Sequence, residues 1–374
     1  MKKIFGVWIN CIFAAAMLVS CEQENENNIL VCGTYTEMND VYTGSFGIYS
    51  LAFDANTGQL SVMDSVQARN PSYIAVSDSR NYIYAVREIS GNPGVYSIPC
   101  NKKTGEFREA EFAEGTSGDP CYVDFFNGRL LTADYSGGAV TVFDIKNDGR
   151  VDDSSYRCIY LSDDRNSNNK NNKSSHAHCV KPMANESALV VTDLGKDCVY
   201  FAKTSHTIRS GFVFTDTIQL KKGFGPRHVD FTKDGKFCYI LGEKSGVIQG
   251  LTYDGETIGD AGFAVCDTLY AKGSADIHIS PDGKFLYASN RLKGDGIRVF
   301  SIQEDGKLKN LQYVFTGRHP RNFTFSPDGN YILVACRDDN KIEVYRRSKT
   351  TGIISPECVS ELYLPKPVCL KFLK

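Results

Sequence analysis

Short runs of apolar residues, each interrupted at every second or third place by a polar one, recur from Ile29 to the C-terminus, and Gly- and Asp-rich turns separate them. That pattern predicts β-strands joined by tight turns. The runs are not independent. A unit recurs that consists of a Pro-led strand, an Asp-Gly turn, a second apolar strand, a polar loop, a third strand and a Gly turn. Three copies align without gaps: Pro226 to Phe231 with Asp234-Gly235, Ser274 to Ile279 with Asp282-Gly283, and Pro320 to Phe325 with Asp328-Gly329. Weaker copies start at Pro71, Pro120, Ser175 and Pro367, so successive starts differ by 49, 55, 51, 48, 46 and 47 residues. A spacing of about 49 is the length of a four-stranded propeller blade with its turns.

The last unit has room for one strand, Val368 to Leu373. The N-terminal part supplies the remainder, with strand-like runs Ile29 to Tyr35 and Gly47 to Phe53 and a further strand at Leu60. Pairing the final strand with these closes the ring and leaves no open edge for another chain to join. The expected fold is therefore all-β: a seven-bladed β-propeller of four-stranded blades, a single domain over residues 29–374, closed by pairing the C-terminal strand with N-terminal strands. The longest interval carries a stretch with no apolar residue, Ser162 to Ser174, which reads as a solvated loop between blades.

The N-terminus is of another kind. Lys2 and Lys3 precede an apolar run from Ile4 to Val19 that ends in Leu18-Val19-Ser20-Cys21. This is the pattern of a lipoprotein signal peptide over residues 1–20, with Cys21 as the lipidated residue, and it places the protein in the cell envelope, held to a membrane by acyl chains. Residues 21–28 are polar and acidic and read as a flexible tether.

Net charge is −2, which gives no reason to expect nucleic acid as a partner. Setting aside Cys11 and Cys21 leaves an odd number of cysteines, irregularly spaced and without a CxxC pair, which points to buried thiols in a monomeric chain and not to disulfides or zinc. No cofactor is expected.

The ends of the first strand and of the returning second strand meet on one face of a propeller, around the central channel. Counting from each start, the third and fifth positions are apolar in every unit except at His178, which lies two residues after His176. First positions add Arg227 and Arg321; the ends of second strands add Glu88, Asp134, Asp193, Glu243, Asn290 with Arg291, and Arg337. Imidazole, carboxylate and guanidinium groups around one mouth suit a small anionic or sugar-derived ligand. His178, Arg227, Glu243 and Arg291 come from successive units and form the strongest candidate cluster. His206 reads as a surface residue, and His228, His278 and His319 as structural ones. The His176-Ala177-His178 pair lacks a third ligand at diagnostic spacing, so no metal is assigned.

Taken together, Gly33-Thr34-Tyr35-Thr36, Asn70-Pro71-Ser72-Tyr73, Asp134-Tyr135-Ser136-Gly137-Gly138, His176-Ala177-His178, Asp193-Leu194-Gly195-Lys196-Asp197, Gly225-Pro226-Arg227-His228, Glu243, Ser289-Asn290-Arg291 and Pro320-Arg321 resemble the seven-bladed lactonase family. That family includes propeller-type 6-phosphogluconolactonases and 3-carboxymuconate-lactonising enzymes. The resemblance implies hydrolysis of a sugar lactone, with catalytic roles at His178, Glu243, Arg227 and Arg291 and substrate contacts from His176, Glu88, Asp134, Asp193, Asn290 and Arg321. Ser175, where Pro is usual, and Asp134, where Asn is usual, depart from the family pattern. Two alternatives stay open: a lipid-anchored propeller that binds a sugar or protein without chemistry, and a cycloisomerase that runs the same groups in the ring-closing direction.

Overall fold

The computed structural model describes residues 28–39, 41–77, 81–161, 174–183, 186–205, 207 and 209–373. The proposed signal peptide with Cys21, the tether up to residue 27, the loop residues 162–173 and His206 lie outside the described residues. Seven four-stranded antiparallel sheets stand in a ring, as the repeat predicts. Within six of them the strands follow in chain order. The seventh is composite: Pro367–Leu373 is its inner strand and pairs with Asn28–Thr34, so Ile29 faces Leu373 and Gly33 faces Cys369. Asn28 is thus the first residue of a strand and not the end of a tether. Leu370 and Phe372, which an open array would leave bare, pack with Leu30, Leu51, Phe53 and Tyr331.

In three blades the inner strand runs from the channel mouth to an Asp-Gly turn at the far end. The turns need glycine because Gly235, Gly283 and Gly329 have φ of +72°, +74° and +72°. A Ser or Thr at the strand end braces each turn through its Asp: Thr232 to Asp234, Ser280 to Asp282 at 2.8 Å, Ser326 to Asp328 at 2.5 Å. Large rings fill the space between blades, as where Tyr287 meets Phe325 edge-on at 5.1 Å.

One feature that alternation does not foresee decides the geometry of the mouth. The ladder slips at the head of the inner strand in six blades, between Pro120 and Tyr122, Ala177 and Cys179, Pro226 and His228, Ser274 and Ile277, Pro320 and Asn322, and Pro367 and Cys369. A bulge inserts an unpaired residue and re-aims its side chain. Cys121, His178, Arg227 and Arg321 are such unpaired residues. The third copy therefore starts at Ala177, which faces Asp193 as Pro226 faces Gly242, and not at Ser175. His178 is thereby no exception in an apolar column, where Val180 stands fully buried. It is the counterpart of Arg227 and Arg321.

Candidate active site

Two concentric rings of side chains line the mouth. The inner ring is the bulge position: Cys121, His178, Arg227, Ala275 and Arg321, continued by Val368. The outer ring is the residue just after each second strand: Tyr35, Glu88, Tyr135, Leu194, Glu243, Arg291 and Arg337. In every blade the backbone N–H of that outer residue donates to a carbonyl just ahead of the inner strand, at 2.8 to 3.1 Å, for example Glu243 to Gly225 and Arg337 to His319. The repeat thus holds both rings at a common height, and blade-to-blade changes of side chain alone make the site.

Glu243 is the junction. Its Oε2 lies 2.8 Å from Arg227 Nε and 3.4 Å from Arg291 Nη2. Arg227 is 2% exposed and Arg291 6%, so both guanidiniums are held within protein. Arg227 also donates through Nη1 to the Ala275 carbonyl, and Arg291 through Nε to the Gly273 carbonyl at 2.8 Å. Burial and the neighbouring Arg227, Arg321 and Arg337 charges press the Arg291 pKa down to about 9, against the pull of Glu243. Such crowding of positive charge favours an anion in the bowl.

His178 is buried at the same level, with its Nδ1 3.7 Å from Cys121 Sγ and its ring edge-on to Tyr135 and His228. Burial, then the charge of Arg227, holds its pKa well below the ordinary histidine value, so the ring is neutral. On the opposite wall Glu88 accepts from the Tyr35 hydroxyl at 3.0 Å and faces Arg321 at 3.7 Å, while the Arg321 guanidinium lies over the Tyr35 ring.

The remaining sequence candidates divide by one residue of register. Asp134, Asp193 and Asn290 are the last residues of their second strands and turn inward. Asp134 accepts from Ser117 N and Oγ, Thr132 Oγ1 and Thr141 Oγ1, at 2.6 to 2.8 Å. Asp193 accepts from the backbone of His176, Gly195 and Lys196 at 2.9 to 3.0 Å. Asn290 bonds Ser274 and the Cys266 carbonyl. All three are at most 1% exposed and tie loops to their own blades, so the structure does not bring them to the bowl. His176 stacks on Tyr135 at 4.6 Å and bonds the Tyr135 carbonyl through Nδ1 at 2.9 Å. Both histidines of the His-Ala-His pair thus pack against Tyr135, His176 face to face and His178 edge-on.

Sequence reasoning passed over two residues here. His228 and His319 both touch the arginines: Arg227 Nη1 lies 3.2 Å from His228 Nε2, and Arg291 Nη1 lies 3.3 Å from His319 Nε2. The adjacency Arg227-His228 was a visible signal, but the bulge that turns both side chains the same way was not. Tyr135 and Tyr35, in the matched motifs, were not singled out either.

A closed seven-bladed ring with a half-buried carboxylate between two buried arginines, beside a neutral imidazole, defines a class: propellers that carry a polar site at the channel mouth. The model of the lactonase family, described as a seven-bladed β-propeller, matches residues 29–372, and the chain belongs to that family. It is 31% identical to the 6-phosphogluconolactonase of Bacillus subtilis over 91% of this chain and 97% of that one. Crystal structures from Bacteroides fragilis and Bacteroides uniformis, provisionally named as 6-phosphogluconolactonases, superpose with TM-scores of 0.85 and 0.84 at 34% identity. They cover 94% and 93% of this chain and 99% of each of theirs.

Proposed function

We propose that this protein hydrolyses a sugar lactone in the bowl, with Glu243, His178, Arg227 and Arg291 as the working groups. The observation that carries the reading is the Glu243 carboxylate bridging two buried guanidiniums. Ring opening needs a base for water, positive charge at the tetrahedral oxyanion and a proton for the departing ring oxygen. Glu243 takes the proton of the attacking water as its oxygen bonds to the carbonyl carbon. Arg227 and Arg291, which can offer forked donors, stabilise the oxyanion and then hold the carboxylate of the opened product. When the C–O bond of the ring breaks, the proton passes from Glu243 to the ring oxygen, and His178, neutral and carrying one N–H, steadies that oxygen. The product is the open hydroxy acid. Glu88 and Arg321 form the opposite wall and contact the sugar hydroxyls.

The substrate is a small anionic or sugar-derived lactone that reaches the envelope. Lys2, Lys3, the apolar run and Cys21 support lipid anchoring there, whereas a phosphorylated lactone is made where sugar phosphates are made, in the cytoplasm. An unphosphorylated sugar lactone reconciles the site with the anchor. The test is acid release, above the spontaneous rate, from a panel of sugar lactones with and without phosphate. Hydrolysis confined to the unphosphorylated members is expected; no acceleration with any lactone would leave a binding protein. Cys21→Ala should move the protein from membrane to soluble fractions, and an unchanged distribution would remove the anchor.

A further inference from the structure

Arg227 and Arg291 each touch a buried imidazole. His228 Nδ1 is 2.7 Å from Asp276 Oδ1, and His228 and Asp276 are 4% and 1% exposed. Arg227 Nη1 lies 3.4 Å from Nδ1 and 3.2 Å from Nε2 of that ring. Near-equal distances to two ring atoms mean that the guanidinium sits over the face of the imidazole, not in its plane. Asp276 is itself fixed from three sides, accepting from His278 Nε2 at 2.9 Å, Asn322 Nδ2 at 2.5 Å and the Phe323 N–H at 3.3 Å. On the other side of Glu243, His319 places Nδ1 3.4 Å from Asp338 Oδ2 and Nε2 3.3 Å from Arg291 Nη1. Arg337 Nη2 lies closer to that Nδ1, at 3.2 Å, and itself holds Asp338, so His319 stands between two guanidiniums with Nε2 facing Arg291. His319 does this from a left-handed backbone, φ +59°.

We propose that His228, held by Asp276, and His319, set between Arg291 and Arg337, position Arg227 and Arg291, and that the two imidazoles are positioning residues for anion recognition. The assignment rests on the reading of the bowl as an anion-holding lactonase site. Neutral supports are what the chemistry asks for. Glu243 already lies against both guanidiniums, and a further carboxylate on each would cancel the charge that the ligand must meet, whereas an imidazole orients and leaves that charge in place. Glu243 then bridges the pair.

The experiment measures binding separately from turnover. Titration calorimetry with gluconate and with inorganic phosphate gives Kd; lactone kinetics give KM and kcat. His319→Leu removes the acceptor and His319→Gln keeps one; His228→Ala removes the supporting face and His228→Phe keeps one. His319→Leu and His228→Ala should each weaken anion binding roughly tenfold and raise KM to match, the loss expected for one bond to a charged group. The Gln and Phe variants should stay within about threefold of the parent. Equal losses in Leu and Gln, or in Ala and Phe, would mean that the rings only fill space, and would overturn the proposal. So would unchanged Kd in every variant, or a parent that binds neither anion. A parent that binds anions but opens no lactone defeats the lactonase reading and leaves the positioning role to stand on Kd.

Discussion

Acidification from pH 7 to pH 5 should remove about 6 kcal/mol of folding stability, through three buried imidazoles. His178, His228 and His319 sit at the channel mouth, 6%, 4% and 7% exposed. Burial first, and nearby arginines second, hold their pKa values down: to about 3 for His228, about 2 for His319, and well below the usual value for His178. In the unfolded chain each titrates near 6.5. Below that value the unfolded state takes up protons that the folded state refuses, so stability falls as pH falls, by about 1.4 kcal/mol per pH unit for each ring. Between pH 7 and 5 this amounts to about 2 kcal/mol per ring and about 6 kcal/mol for three. Asp124 and Asp134, whose carboxyls burial raises, work in the opposite direction and trim the effect. The assay is the urea midpoint at pH 7, 6 and 5 for the parent and His319→Gln. The variant lacks one titrating ring, so its fall should be smaller by about 2 kcal/mol. A parent curve flat over this range, or a variant curve parallel to it, would refute the claim that these rings are held neutral.

Three further predictions concern the site and the closure. Glu243→Gln and Arg227→Met should each lower kcat by about 10²–10⁴ with unchanged circular dichroism, the size of a lost base or oxyanion partner; full activity in either would remove that residue from the mechanism. Asp134→Ala should cost about 3 kcal/mol of stability, because its hydroxyl and amide donors lose their acceptor, yet leave KM of the folded protein within about twofold; a large rise in KM would return Asp134 to the substrate. Removing Pro367–Leu373 exposes the Asn28–Thr34 edge and forfeits roughly 5–9 kcal/mol from Val368, Leu370 and Phe372 alone; a monomer with a parent-like melting temperature would show that the ring does not depend on its clasp.

The repeat, its Asp-Gly turns and the complementary chain ends were legible because local chemistry dictates them. A turn at positive φ admits little but glycine, a strand facing two blades must be apolar, and a half-unit at each end is stable only when the halves pair. The four central candidates were also legible, His178 and Arg227 as side chains at the start of an otherwise apolar inner strand, Glu243 and Arg291 as charges at the end of a returning second strand. What the chain order could not convey is register at the mouth. One bulged residue per inner strand moves His178 into line with Arg227 and Arg321 and turns His228 beneath Arg227. One step past the second strand separates Glu243 and Arg291, in the bowl, from Asp134, Asp193 and Asn290, which tie loops. Those distinctions rest on contacts between blades some 48 residues apart, such as His228 with Asp276 and Arg227 with the Ala275 carbonyl. The strands and their closure follow from the order of residues; which side chains meet a ligand follows only from how neighbouring blades hold one another, because a bulge is a product of the packed sheet and leaves no periodic mark in the chain.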